Sequence, residues 1–103
     1  MIQHIVTLRL RDGVGPDGLQ DLMQGLADLV PQIDGFTGFQ HGPNLDVEQK
    51  SPDFPYGFVC TFEDVAALDR YAGDARHQAL GARLVALCHG GPDGIMVYDL
   101  ETE

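Results

Sequence analysis

A chain of 103 residues, 44% of them apolar, has the size and composition of one globular domain over 1–103, built on a single core. The 16 acidic residues outnumber 6 basic ones for a formal charge of −10, and the bases are too scattered to track phosphates, so neither nucleic acid nor an anionic membrane is expected as a partner. No apolar run approaches the ~20 residues of a membrane span and the N-terminus lacks a signal-peptide plan, so a cytoplasmic protein is expected.

The opening "MIQHIVTLRL" alternates with period two and predicts a strand over 2–10. Ile2, Val6 and Leu8 share one face, and His4 stands among them. "GVGP" breaks the strand. Leu19, Leu22, Met23, Leu26, Leu29, Val30 and Ile33 then fall at helical spacing, which predicts an amphipathic helix over about 16–31. Pro16 suits its first turn, Asp17 and Asp21 suit its positive end, and Pro31 with Asp34-Gly35 closes it. "GFTGFQHG" predicts the second strand, with Phe36, Gly38 and Gln40 on one side and Thr37, Phe39 and His41 on the other.

"PNLDVEQKSPDFP" is polar and proline-bounded, a loop long for a hairpin and expected to be mobile or folded over a site. "YGFVCTFE" predicts the third strand, with Tyr56, Phe58, Cys60 and Phe62 on one face. Asp64 can cap a short helix carrying Val65, Leu68 and Tyr71. Gly73 interrupts it. Asp74 can cap a second piece carrying His77, Leu80, Leu84 and Leu87. "HGGPDG" ends that helix, and "IMVYDL" predicts the last strand. Cys60 and Cys88 stand in apolar runs with no CxxC spacing, which predicts buried thiols rather than zinc ligands.

The order β-α-β-β-α-β is the ferredoxin-like α+β pattern, an antiparallel sheet with its helices on one face. The other face is then bare. Its simplest cover is a second copy of the chain, giving a homodimer through sheet faces.

"HIVTLRL", "GPNL", "FEDVAALDRY" and "RHQAL", taken in order, resemble the Dabb family of stress-responsive α/β-barrel domains. The resemblance spans nearly the whole chain and implies a dimeric α+β barrel. It also implies kinship with a plant branch similar to polyketide cyclases, which use a His and Tyr pair in a pocket between sheet and helices. By position His4 matches the family's first-strand histidine and Tyr71 its tyrosine. His77 matches the second histidine of a His-Pro-x-His segment that reads Asp74-Ala75-Arg76-His77 here. The first histidine and the proline of that segment are absent. The third-strand histidine of the cyclase-like branch is replaced by an aromatic position near Tyr56.

Periodicity independently aims His4, Tyr71 and His77 into one layer between strand and helix. Burial favours a neutral imidazole, and a phenol can donate to an enolate as it forms. The expected chemistry is proton abstraction beside a carbonyl, leading to aldol, ring-closing or isomerising steps. His77 is placed as base, Tyr71 as its orienting partner or the oxyanion donor, and His4 as a substrate-positioning group. Tyr56 and Phe58 are placed to line the same space, with His41 on its rim. His89 reads as a helix-end cation. No cofactor and no metal are expected, and the small-molecule substrate is not named by the sequence. Two alternatives stay open: a non-catalytic dimeric stress-response domain with structural histidines, and a dimeric-barrel monooxygenase.

Overall fold

A computed structural model describes residues 1–103, the side chain of Pro16 excepted. In chain order it comprises β1 (Ile2–Leu8), α1 (Pro16–Ala27), a 3-10 turn (Val30–Gln32), β2 (Phe36–Pro43), β3 (Tyr56–Phe62), α2 (Val65–Gly73), α3 (Ala75–Leu87), a second 3-10 turn (Gly91–Gly94) and β4 (Ile95–Glu101). The four strands form one antiparallel sheet in the order β2-β3-β1-β4. This is the ferredoxin-like α+β arrangement, its second helical region split at Gly73-Asp74 as the capping residues foretell. Asp64 accepts from the Ala67 N–H at 2.9 Å, and Asp74 accepts from the Arg76 N–H at 2.8 Å.

The core lies between sheet and helices. Ile2, Val6 and Leu8 of β1 meet Leu19, Leu22, Met23 and Leu26 of α1, with Phe58, Cys60 and Phe62 beneath them, all buried. Each large side chain so placed contributes roughly 1.5–3 kcal/mol of transfer free energy. Gly25 lets α1 and α3 close up: a Cβ there would stand 2.9 Å from Leu80 Cδ2. Gly35, at φ +82°, turns the chain into β2 where a Cβ would meet that of Ala67 at 2.6 Å.

Three expectations need correction. The first helix stops at Ala27, because Pro31 lacks an N–H and disfavours α geometry before it, so residues 30–32 form a 3-10 turn instead. The first strand stops at Leu8; Leu10 makes only an isolated bridge to Cys88. In β2 a bulge falls between Phe36 and Gly38, with Thr37 as the extra residue. It brings Phe36 onto the same face as Phe39, facing the helices, where strict alternation would separate them. Phe36 then stacks on Phe62 at 4.7 Å.

The loop 44–55 is bonded within itself. Asp46 Oδ1 accepts from the N–H groups of Lys50 and Ser51 at 2.7 and 3.0 Å, and Asn44 Nδ2 donates to the Phe54 carbonyl at 2.9 Å. The sheet face away from the helices carries Ile5, Val59, Met96, Tyr98 and Leu100, and the last three are 40–52% exposed. Both cysteines are buried free thiols. Among the described residues no helix is long and apolar enough to cross a membrane.

Candidate functional site: a histidine and tyrosine layer

Alternation in β1 sends His4 to the helix side of the sheet, and the register sets Asp99 of β4 directly opposite. The two bond, His4 Nδ1 to Asp99 Oδ1, at 2.5 Å. An ionised carboxylate only accepts, so Nδ1 donates, and a neutral His4 ring is left with Nε2 as its acceptor. Sequence reading missed Asp99. Its signal was present: an acid in an apolar strand, at a position whose phase faces the helices.

Tyr71 of α2 is 1% exposed. Its ring lies 5.8 Å from that of His4, edge to face, and 5.3 Å from that of Phe36. Burial, and then the neighbouring Cys60, push its phenol well above the ordinary range, so it stays protonated. Among the described residues its hydroxyl has one hydrogen-bonding neighbour, the Cys60 thiol at 3.8 Å. Burial pushes that thiol up to about 12, which leaves it unreactive.

His77 stands in the first turn of α3, just past the Asp74 cap. Arg76 grips Asp74 through two side-chain bonds of 3.0 and 2.7 Å and holds that carboxyl well below the usual carboxylate range. The His77 ring is half-buried and packs on Tyr71 at 3.8 Å, with the planes 30° apart. Burial first, and then the facing His4, hold its pKa below the ordinary value, although the Tyr71 and Ala72 carbonyls and Asp74 pull the other way. Its Nδ1 is buried with no hydrogen-bond partner.

The three residues expected to meet do meet, yet not as drawn. The Tyr71 phenol packs on the His77 imidazole through its ring face, and its hydroxyl makes no hydrogen bond to that ring. The rings fill much of their own layer, and of the two clefts described in the structure neither is lined by any of them. The remaining expected residues do not join the cluster. Tyr56 pairs with Leu8, four residues and about 13 Å along β1 from His4. Its hydroxyl bonds His41 Nδ1 at 2.6 Å. Phe58 is a core side chain between the two ends, 5% exposed and packed on Phe39 at 5.6 Å.

The strand order and the placement of the helices define a ferredoxin-like α+β domain with one open sheet face. The model of the stress responsive A/B barrel domain, Dabb, matches residues 2–102, and the chain belongs to that family. It is 26% identical over 98 residues to the stress-response A/B barrel domain-containing protein HS1 of Arabidopsis thaliana, covering 95% of this chain and 86% of that one. It is 48% identical to a dimeric ferredoxin-like protein of Jannaschia sp. CCS1, with a TM-score of 0.92 and 98% of each chain covered. The hydroxynitrile lyase of Passiflora edulis shares the fold at 14% identity, with a TM-score of 0.81 and 99% and 93% of the two chains covered.

Proposed function

We propose that this protein is a homodimer with one small-molecule site per subunit, where His77 and Tyr71 carry out acid–base chemistry on a carbonyl substrate and His4, set by Asp99, positions it. The observation that carries this reading is the half-buried His77 ring stacked at 3.8 Å on a protonated phenol, with the His4 ring 5.8 Å from that phenol. A neutral imidazole with a lowered pKa is a competent base near neutrality. The Tyr71 phenol is a donor for the enolate oxygen as charge develops. His4 Nε2, freed by the Nδ1–Asp99 bond, can hold a substrate hydroxyl. A hydroxynitrile lyase on the same fold supports only that the scaffold accommodates catalysis.

Substrate would reach the rings between α3 and β4. β4 is an edge strand, and Val97 and Asp99 on its helix side are exposed. On α3, Leu80 packs toward Gly25 of α1, while Val85 lies by the Gly91 turn that leads into β4. Gly81 falls on that second side, one turn past His77, and a Cβ there would meet nothing within 4 Å. Such a route would have Val97 as an apolar floor and Asp99, already paired with His4, as its carboxylate.

Dimerisation through the open face is supported by its exposed Met96, Tyr98 and Leu100. A shallow trough of about 370 Å³ where Gly42 and Gly57 lack side chains would receive them. The Jannaschia relative is dimeric.

The test is a screen of β-polyketo and related carbonyl compounds by product analysis, with His77→Ala beside the native chain. Turnover by the native chain, lost in the folded variant, supports the reading. Equal turnover by both removes His77 as base. The close packing of the rings favours the second reading, a non-catalytic domain with structural histidines. Total inertness to the panel, with His77 inaccessible to a histidine reagent, would establish it.

A further inference from the structure

Tyr56 and His41, absent from the histidine layer, stand at the far end of the sheet, where Tyr56 borders a cleft of its own. The cleft opens between the first turns of α1 and the ends of β1, β2 and β3 and encloses about 520 Å³, within the ~300–1,000 Å³ of small-molecule sites. Val14 and Leu19 form one apolar wall, and Pro43 and Pro55 form the other. The prolines have no N–H to satisfy, so this wall needs no polar occupant.

Two polar groups break the apolar lining. Arg11 is tethered at the C-terminal end of α3, its backbone N–H to the Leu87 carbonyl at 2.9 Å and its Nε to the Cys88 carbonyl at 3.2 Å. Among the described residues its two terminal nitrogens have no partner, so the fork stays available while its stem is held. The Tyr56 hydroxyl, fixed by His41, retains capacity for a second hydrogen bond.

We propose that this cleft is a second ligand site, separate from the histidine layer, for a small monocarboxylic acid with an alkyl or aryl body. The body lies between the two apolar walls, and the carboxylate meets the Arg11 fork and the Tyr56 hydroxyl. Asp12, beside Arg11 on the same rim, and the overall charge of −10 oppose a second negative charge. A monoanion is therefore preferred over a dicarboxylate or a phosphate monoester.

The experiment is a two-dimensional amide NMR titration of the full chain with octanoate, 3-phenylpropionate, 3-phenylpropionamide and phenyl phosphate. The acids are expected to shift Leu10, Val14, Leu19 and Tyr56 and to leave His4 and His77 in place. The amide is expected to bind about tenfold more weakly than its acid, and Arg11→Gln to abolish that difference. Gln20→Trp, an exposed α1 residue on the cleft, is expected to block all binding while the fold persists. Failure of both acids to bind at millimolar concentration overturns the site. So do shifts centred on His77, tighter binding of phenyl phosphate, or an acid-to-amide ratio that survives Arg11→Gln. Apart from shifts centred on His77, which would place the acids in the histidine layer, these results leave the proposed His77 chemistry to its own test.

Discussion

The imidazole of His77 lies face to face with the phenol of Tyr71, ring centroids 3.8 Å apart and planes 30° from parallel. Stacking fixes the plane of the imidazole and leaves Nδ1 without a partner. A ring held this way has a fixed orientation, and its neutral form is the one the surroundings favour.

That preference makes stability depend on pH. The folded His77 pKa lies below its ordinary value, chiefly through burial. The unfolded chain therefore takes up this proton first as pH falls. The stabilisation is fully present above about 6.5, the unfolded value, and is lost progressively below it, by less than about 1.4 kcal/mol per pH unit. Urea midpoints taken from pH 7.5 down to 5 should decline in the native chain and decline less in His77→Gln. Asp74, whose carboxyl is lowered mainly by Arg76, acts in a separate window below the ordinary carboxylate range.

Asp99→Asn should release the His4 tautomer. With a carboxylate opposite, Nδ1 must carry the proton; with an amide, either nitrogen can. Nitrogen-15 shifts of the His4 ring are expected to move from a single Nδ1–H form to a mixture. Asp99 is 44% exposed at its side chain, so the stability change should stay within about 1 kcal/mol. An unchanged tautomer would place the orienting force elsewhere.

Gly81 separates access from folding. Gly81→Ala in the interior of α3 should raise stability by about 1 kcal/mol, because glycine is the poorer helix former and the new Cβ meets nothing. Gly81→Phe should fill the proposed route between α3 and β4. Carbethoxylation by diethyl pyrocarbonate, read by peptide mass spectrometry, should then slow severalfold at His4 and His77 and stay unchanged at His41 and His89. Equal slowing at all four would mean a global effect, and no slowing would mean another entrance.

Val59→Glu places a charge in the middle of the open sheet face, next to Ile5 in register. Light scattering should show a dimer for the native chain and a monomer for the variant, with helix content retained. A native monomer would leave the exposed Tyr98 and Leu100 unexplained.

Much of the fold is legible in the sequence because period and punctuation agree. The alternation in 2–10, the caps at Asp64 and Asp74 and the break at Gly73 are local signals; the caps and the break are found in place, and the strand ends two residues early at Leu8. The bulge at Thr37 is not legible, since it arises from how β2 meets β3 and reverses the phase of Phe36. The meeting of His4, Tyr71 and His77 follows from phase alone. The pairing of His4 with Asp99 needed the order of strands, which puts β4 beside β1 at long sequence separation. Tyr56 and His41 share the helix-facing side of the sheet with His4, but position along the strand, not face, carries them to another cleft.

The proposed step at this site is proton abstraction by His77 from carbon beside a carbonyl. It is tested most directly by deuterium incorporation at the α-carbon of a panel of ketones and β-keto thioesters in heavy water, followed by proton NMR. The native chain should accelerate exchange in at least one substrate above buffer, and His77→Ala, folded by circular dichroism, should lose about 10²–10⁴-fold of it. Exchange at the buffer rate throughout, or equal exchange in the variant, would contradict the account.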